Sequence, residues 1–451
     1  MLALPHVARP LLERFSGAFT QPTFQRVLVL LVGAILTMGR RTVTHMLWTL
    51  RSLAPGHYTS YHRVWSCRVW SLWPLAKVLA TMVLALIPPA EPVLVALDDT
   101  SPQHKGKHVY GKGRHHDACR SSHSHIVWVW GHKWVVLAAL VKFSWAARPW
   151  ALPVLVALYR PEELNTKEGR RHKTPPQLAR GLLAVLIHWF PQRKFIALGD
   201  GGFSSHELAR FAASHSRHLT LIGRLHPQAR LYAPPPKTPA KTGRPRIKGR
   251  RLAKPQDKVQ RVGELGRTLA TVPWYGGATR AISYLSATGL WYKSGHGTVP
   301  LRWAFVQDQE GTHRSEYFFC TDPAMTPVSL IGGFTGRWSI EVTFQEVRFH
   351  LGFGTLRSWC KNSVLRAGPC LLGLFSVVCL LFHEHLRSHQ VRMERTSWYA
   401  KTEPTFADAL ATVRGLFWQE TVFARPAHHQ AFQKLPAPLR HLLLGQLART
   451  G

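Results

Sequence analysis

Acidic residues are scarce in this chain. Its 451 residues include 23 Asp and Glu against 58 Lys and Arg, which gives a formal net charge of +35. Such an excess of positive charge favours binding to a polyanion, with nucleic acid as the first choice. A ribosome-associated or merely adhesive protein would have the same balance, so charge narrows the partner without naming an activity.

Cysteine is also sparse, and the six cysteines include no Cys-x-x-Cys pair. This excludes a disulfide framework and a cysteine zinc site, and it fits a reducing cytosol. Histidine is plentiful, with 26 residues, and the His-Ser-His run at 123–125 resembles a metal-binding motif. Because no cysteines stand at finger spacing around it, we do not expect zinc there.

Long hydrophobic runs are missing. Val27–Met38 and Leu371–Phe382 are each about a dozen residues long, short of the ~20 that cross a bilayer, and basic residues flank them. We therefore expect buried helices and no membrane partner. The N-terminus has neither the charged start nor the cleavage site of a secretory signal, so the sequence predicts a cytoplasmic protein.

The first 88 residues have helical periodicity. In GRRTVTHMLWTL a threonine follows two arginines and begins an apolar stripe, which indicates a capped helix. Two interpretations remain open here. The segment is the second helix of a helix-turn-helix, with Arg40 and Arg41 on DNA phosphates, or it is a core helix with a basic flank.

From Pro92 onward short apolar runs alternate with helical patterns. The sequence predicts strands at Val93–Leu97, Phe195–Leu198 and Leu219–Gly223, and a hairpin of Ile126–Trp130 with Val135–Phe143 turned at 131–133. Helices are predicted between and after them, at Gln177–Phe190 and Ser205–Ser214. This order predicts an α/β fold with a ribonuclease-H-like mixed sheet and flanking helices.

A proline- and lysine-rich segment, Pro234–Lys258, interrupts this order and predicts a solvated loop. Strand-length pieces follow at Arg261–Thr271, Arg280–Ser286, Leu301–Gln307 and Glu316–Cys320, and helices return from Ser329. We therefore predict a β-rich insertion and five parts. They are a helical DNA-binding domain (1–88), a first core part (89–228), the insertion (229–328), a second core part (329–390) and a helical C-terminal region (391–451).

Carboxylates stand out against so much positive charge. Asp98 and Asp99 end the strand VLVAL, Asp200 ends FIALG, and Glu341 lies on a predicted helix. Carboxylates at strand ends lie where open α/β sheets bind ligands. Gathered in space, they form a site for hard divalent cations, above all Mg²⁺.

A resemblance to a known family rests on three motifs. The segment FTGRWSIEVTFQEVRFHLGF resembles the Tyr-x2-Arg-x3-Glu-x6-Lys signature of cut-and-paste DDE transposases from bacterial insertion sequences, with Phe334, Arg337, Glu341 and Arg348 at its positions. LDDTS and GDGGF are similar to the family's two aspartate motifs. Phe334 lacks the expected hydroxyl, and Arg348 has a planar fork where the family has an ammonium.

The resemblance implies catalytic and metal-binding roles for Asp99, Asp200 and Glu341, with two Mg²⁺ ions that Mn²⁺ can replace. Asp99 is preferred to Asp98 because the family's acid precedes a threonine, and the Arg-x3-Glu spacing favours Glu341 over Glu346. Double-stranded DNA, as transposon ends and target, is the implied partner, and a homodimer is expected in the DNA complex. The implied DNA contacts are Arg337, Arg348, Lys105, Lys107, Arg40, Arg41 and the stacking tryptophan Trp303, with Trp274 and Trp291 as alternatives.

Two rival functions stay open at this point. One is a non-catalytic DNA-binding protein descended from a transposase, which the presence of all three acids disfavours. The other is a structure-specific nuclease of the same fold that cuts without joining. The resemblance also implies a bacterial cytoplasmic location, with the protein on the nucleoid when it is bound to DNA.

Overall fold

The computed structural model describes residues 2–117, 121–122, 124–236, 245–390, 393 and 400–449. Cys119, His123 and part of the Pro234–Lys258 segment lie outside this set. The α-helices are α1 Ala8–Glu13, α2 Gln21–Leu36, α3 Val43–Leu50, α4 Tyr58–Ser66, α5 Leu72–Leu84, α6 Glu162–Lys167, α7 Pro175–Trp189, α8 His206–Ser214, α9 Pro255–Val262, α10 Pro327–Gly336, α11 Ser339–Leu351, α12 Lys361–His385, α13 Phe406–Phe417, α14 Pro426–Lys434 and α15 Ala437–Ala448. The strands are β1 Val93–Thr100, β2 Gly113–His116, β3 Trp128–Gly131, β4 Lys133–Val141, β5 Trp150–Tyr159, β6 Phe195–Gly199, β7 Leu219–Arg224, β8 Leu231–Tyr232, β9 Thr268–Pro273, β10 Thr279–Lys293, β11 Gly297–Asp308 and β12 Glu316–Cys320.

The N-terminal region is helical, as its periodicity predicts. Thr42 caps α3, and its hydroxyl accepts a hydrogen bond from the His45 backbone N–H at 3.2 Å. Helices α2 and α3 pack closely, because a Cβ at Gly33 would lie only 2.8 Å from the Met46 Cβ. The glycine therefore sets the distance between these two helices.

A single mixed sheet forms the centre of the molecule. Its first five strands run in the order β5-β4-β1-β6-β7. β1 is parallel to β6 and antiparallel to β4, and β6 is parallel to β7. This is the ribonuclease-H-like arrangement, so the predicted fold class is confirmed.

The β-rich insertion extends this same sheet. β12 pairs antiparallel with β7, and β11, β10 and β8 follow in turn. The inserted strands therefore continue the backbone hydrogen bonding of the core. The basic segment ahead of them is not irregular throughout, since Pro255–Val262 forms α9 and includes Arg261, the predicted start of a strand.

The predicted hairpin of the second and third strands is wrong. β3 pairs with β2 in a separate two-stranded ribbon, whereas β4 lies between β1 and β5. The burial patterns give the reason. β4 is buried on both faces from Trp134 to Val141, which suits a sheet interior, and β3 alternates exposed and buried residues as a surface ribbon does.

Helices α10, α11 and α12 cover one face of the sheet. A Cβ at Gly333 of α10 would meet Leu198 and Ile222, and one at Gly368 of α12 would meet the Trp134 ring. Thr343 of α11 donates to the Ala151 carbonyl at 2.7 Å. The helix that carries Glu341 is therefore held against the strands of the core.

Helix α12 is longer than the apolar run that predicts it. It spans 25 residues and is long and apolar enough to cross a membrane by length and composition, and 67% of its apolar window is buried inside the molecule. A buried core helix passes the same test. The absence of a membrane partner stays a prediction.

The C-terminal region is helical where the structure describes it. Arg414 of α13 is buried, and its Nε donates to the Ile35 carbonyl of α2 at 2.7 Å. Burial and, to a smaller extent, the charge of Arg41 together lower the pKa of Arg414 to about 9. This side chain joins the C-terminal helices to the N-terminal region.

Candidate active site

The two aspartate motifs meet at one edge of the sheet. β1 and β6 are parallel, with Leu97 opposite Gly199. One step further along each chain are Asp98 and Asp200. Asp200 follows the last residue of β6, and its charge acts on both Asp98 and Arg337, so the two aspartates lie close together at the strand ends.

A tight turn holds Asp200 in place. Its Oδ1 accepts hydrogen bonds from the backbone N–H groups of Gly202 at 2.9 Å and Phe203 at 3.2 Å. The preceding Gly199 has no room for a side chain, because a Cβ there would lie 2.8 Å from the Phe203 Cβ. The GDGGF motif is therefore a compact aspartate turn at the end of β6.

Arg337 connects the first carboxylate to the third. Its Nη1 lies 2.6 Å from Asp98 Oδ2, and its Nη2 lies 2.8 Å from Glu341 Oε1. Arg337 ends α10, and Glu341 lies in the first turn of α11. The Arg-x3-Glu spacing thus places both side chains over the end of β1, where one guanidinium joins two acids.

The electrostatics of this group are strongly coupled. Burial raises the pKa of Asp98 to about 7; Arg337 opposes the rise, and the charges of Asp200 and Glu341 add to it. Burial alone would lower the pKa of Arg337, but Asp98, Glu341 and Asp200 together raise it. The structure therefore brings Asp98, Asp200 and Glu341 within electrostatic range of one another.

Asp99 lies on the opposite face of β1. Its carboxylate pairs with Lys133 Nζ at 3.3 Å, and Lys133 shares that face because Asp99 is opposite Val135 in β4. Burial raises the pKa of Asp99, Lys133 counters the rise, and the charge of Asp200 adds to it, whereas Arg337 and Glu341 act on Asp98 alone of the two. This geometry favours Asp98 over the predicted Asp99 as the partner of Asp200 and Glu341, because a one-residue step along a strand changes the face.

Glu346 is directed elsewhere. Its Oε2 lies 3.2 Å from His350 Nε2, one turn further along α11. These two side chains sit on a part of the helix apart from Arg337. The sequence preference for Glu341 over Glu346 agrees with the side chain that Arg337 contacts.

The predicted DNA-contacting cations differ in exposure. Arg348 is exposed on α11, and its Nη2 donates to the Thr100 hydroxyl at the end of β1. Arg40, Lys105 and Lys107 are exposed as well. All four are accessible to a phosphate backbone, and Arg348 is the one that lies beside the carboxylates.

Arg41 requires a correction. Its side chain is buried, and its guanidinium donates to the carbonyls of Ala34, Gly39 and His350. Burial lowers its pKa to about 10. Arg41 fastens the N-terminal helices to the end of α11, so the core-helix interpretation holds for it and a phosphate contact does not.

Trp303 also requires a correction. It is 2% exposed in β11, among the core residues of the sheet, and no base can stack on it. Trp291 packs against His206 and Phe319, and Trp274 packs against Tyr275 and His313. The composition of the insertion does not reveal which of its indoles are buried.

Phe334, at the position where the resembled signature has tyrosine, is itself a core residue. Its ring stacks on Phe318 with centroids 4.2 Å apart, and the guanidiniums of Arg224 and Arg337 lie 5.6 and 5.8 Å from it. A hydroxyl at this position would be buried. The ring therefore packs against Arg337, which joins Asp98 to Glu341, and against Arg224, which pairs with Glu316 at 2.7 Å.

The sequence pattern misses Tyr275, a residue of the insertion that approaches this site. Burial raises its pKa; Glu316 and Glu341 also raise it, while Arg224 and Arg337 lower it. Its ring lies edge-on to the half-exposed Trp338, with centroids 5.9 Å apart. The Trp-Tyr-Gly-Gly turn that carries Tyr275 has no spacing relation to the acids, so only the fold reveals it.

The donor set suits a hard divalent cation, since it consists of carboxylate oxygens alone. Asp98 adds a second indication, because a buried acid beside two others is what a cation would neutralise. As arranged, no group of three His, Cys, Asp or Glu side chains among the described residues is ready to hold an ion. The Arg337 guanidinium lies between Asp98 and Glu341. Glu341 would therefore have to give up its contact with Arg337 before it could bind a cation held by the two aspartates.

Residues 14–281 match the family described as DDE superfamily endonuclease, and this span is more than half of the chain. The chain belongs to this superfamily. The matched span contains both aspartate motifs, and Arg337 and Glu341 lie beyond it. The DDE resemblance is thereby confirmed at the level of the superfamily.

Among solved structures, this chain is similar to a piggyBac transposase in a synaptic complex with hairpin DNA. The two are 11% identical, the TM-score is 0.41, and the likeness covers 98% of this chain and 80% of that chain. A likeness of this size adds nothing to the family assignment. No match was found among curated proteins.

Proposed function

We propose that this endonuclease is a DNA transposase that binds transposon ends, cleaves them and joins the freed 3′-hydroxyl to target DNA. One observation carries the proposal: Asp98 and Asp200 lie within charge range of each other at the ends of two parallel strands, and Arg337 joins Glu341 to Asp98. The superfamily match supports the endonuclease activity. The net charge of +35 supports DNA as the substrate.

Asp98, Asp200 and Glu341 would hold Mg²⁺, as two ions or with Mn²⁺ in their place. The cations would supply Lewis-acid activation of the scissile phosphate and the attacking hydroxyl. Arg337 keeps the carboxylates together in their absence, because it offsets the repulsion of three neighbouring acids. Arg348, exposed next to Thr100, would bind a phosphate that flanks the cut.

Binding to DNA should depend steeply on salt. With 6 to 10 phosphate contacts the affinity should fall by about 10³- to 10⁵-fold between 50 and 200 mM salt. Replacing Arg348 by Ala should lower the slope of log K against log[salt] by about 1. The measurement is fluorescence anisotropy of a labelled duplex across a salt series.

Lys401→Ala provides the matched control, because Lys401 is already paired with Asp408 at 2.7 Å in the C-terminal region. Its slope should equal that of the wild type. A slope unchanged by Arg348→Ala would mean that Arg348 makes no phosphate contact.

Tyr275 should contribute to cleavage through its hydroxyl. The phenol lies in the charged surroundings of Arg337 and Glu341, where it can donate a hydrogen bond to a substrate phosphate. Tyr275→Phe should lower the single-turnover cleavage rate about tenfold, the loss of about one hydrogen bond to a charged group. Thermal unfolding should be unchanged, since the ring remains. An unaltered rate would limit Tyr275 to packing.

The decisive experiment incubates the protein with its gene's own flanking DNA and Mg²⁺ and maps the cut and joined ends. Joined products with Asp200→Ala inactive support transposition. Cleavage without joining would instead indicate a structure-specific nuclease. A wild-type protein that binds this DNA but neither cleaves nor joins it would indicate a non-catalytic DNA-binding protein. Light scattering of the DNA complex tests the proposed homodimer.

A further inference from the structure

The β2–β3 ribbon (Gly113–His116 and Trp128–Gly131) has one chemically distinct outer face. Arg114 pairs with Trp130 and His116 with Trp128, and all four side chains are exposed. The two residues between them, His115 and Val129, are buried on the inner face. The alternation places two indoles and two basic groups together towards solvent.

Cations cover both indoles. The Arg114 guanidinium lies 4.4 Å from the Trp128 ring, and the Lys112 ammonium lies 5.6 Å from the Trp130 ring. His116 meets Trp128 edge-on at 5.9 Å. The indoles nevertheless remain 46% and 59% exposed. Cation–π contacts of this kind hold the rings in position without removing them from solvent.

The inner face fixes the ribbon to the core. His115 is 4% exposed and packs against Tyr159, with ring centroids 5.7 Å apart. Burial lowers the pKa of His115 to about 4, so the ring is neutral at physiological pH. Gly131 lies so close to the chain that a Cβ there would be 2.0 Å from the Pro102 carbonyl oxygen. The inner face therefore holds the ribbon against the core. We call the exposed pair Trp128 and Trp130 on its outer face the platform.

The ribbon lies beside the end of β1, because Gly131 forms a β-bridge with Gln103, three residues beyond Thr100. Its last residue, Gly131, is two positions before Lys133, whose ammonium pairs with Asp99. Lys133 also lies within charge range of His115, whose pKa it lowers. The exposed Lys105 and Lys107 precede the ribbon in the segment that leads from β1. The platform and its cations thus stand next to the end of β1, the strand that carries Asp98 of the proposed cleavage site.

We propose that this ribbon binds unpaired nucleotides of the DNA that flanks the cut, with bases stacked on Trp128 and Trp130. Aromatic rings in a basic groove are how proteins bind single strands without sequence preference, because each base has a π-face and each nucleotide a phosphate. Lys112 and Arg114 neutralise those phosphates. This inference rests on the proposed function, since it assigns a place to the DNA next to the acids.

The test measures binding by fluorescence anisotropy in the absence of divalent metal. The probes are a blunt duplex and the same duplex with a 3′ overhang of six nucleotides. The double variant Trp128→Ala/Trp130→Ala should lose at least about tenfold in affinity for the overhang DNA, the effect of losing about one stacked base. Its affinity for the blunt duplex should change less than about twofold.

Two further variants serve as controls. Trp73→Ala removes another exposed indole, on α5, and should leave both affinities unchanged. Trp128→Phe/Trp130→Phe keeps aromatic faces and should retain most of the preference for the overhang. An equal loss on both probes, or no loss on either, would overturn the inference.

The readout separates this inference from the proposed function. Binding without metal needs no catalysis, so a wild type that never cuts DNA could still show the ribbon's preference for the overhang. Conversely, a ribbon variant that binds both probes like the wild type while the wild type cuts and joins DNA would refute the inference alone.

Discussion

Asp98→Asn should lower the rate of DNA cleavage by at least about a thousandfold, whereas Asp99→Asn should lower it by less than about tenfold. Loss of a cation ligand removes several kcal/mol of transition-state stabilisation, and about 4 kcal/mol corresponds to a thousandfold. Asp98 contacts Arg337 and lies within charge range of Asp200 and Glu341. Asp99 points to the other face and pairs with Lys133. The measurement is single-turnover cleavage of labelled end DNA with Mg²⁺.

Asp200→Ala and Glu341→Ala should match Asp98→Asn, and all three should bind DNA like the wild type. DNA binding therefore controls for misfolding. If Asp99→Asn were the inactive variant and Asp98→Asn the active one, the residue before Thr100 would be the ligand after all, as the motif LDDTS predicts.

The same Asp98→Asn variant should be more stable than the wild type at pH 8 in the absence of metal. The folded-state pKa of Asp98 is about 7 against 3.8 for the free side chain, so the folded protein holds this proton more tightly. Stability is then lost as the pH rises from about 4 to about 7. Asn has no charge to bury. The free energy of unfolding of Asp98→Asn at pH 8 should therefore exceed that of the wild type by up to about 4 kcal/mol, at about 1.4 kcal/mol for each unit of pKa difference.

Urea denaturation at pH 4, 6 and 8 measures this difference, which should vanish near pH 4. Asp99→Asn should gain less stability at pH 8, because Lys133 already compensates the charge of Asp99. A variant less stable than the wild type at pH 8 would show that the ion pair with Arg337 outweighs the burial of the charge. Stability gained at the expense of activity is common where acids are crowded for function.

Much of the fold follows from local patterns. Thr42 caps its helix as predicted, and the parallel strands before Asp200 and Asp98 lie within a residue or two of their predicted starts. Strand β5 is not predicted from the sequence because Pro153 interrupts its apolar run. A proline is tolerated there since β5 is at the edge of the sheet, with a register shift opposite it in β4.

The site is less predictable, because it depends on contacts between distant segments. Helical spacing predicts that Arg337 and Glu341 lie together, and the structure has them so. The face on which Asp98 lies depends on the register of β1 with β6 and on where α11 packs. Burial separates Arg41 from Arg40 although the two are neighbours in sequence.

The insertion between Asp200 and Glu341 has a consequence for biosynthesis. The third acid leaves the ribosome 141 residues after the second, which takes about 7 to 28 s at typical rates of translation. Strand β12, which completes the pairing of β7, is also made late. A nascent chain therefore carries both aspartates before its third acid, and the proposed cutting centre is incomplete until Glu341 has been made.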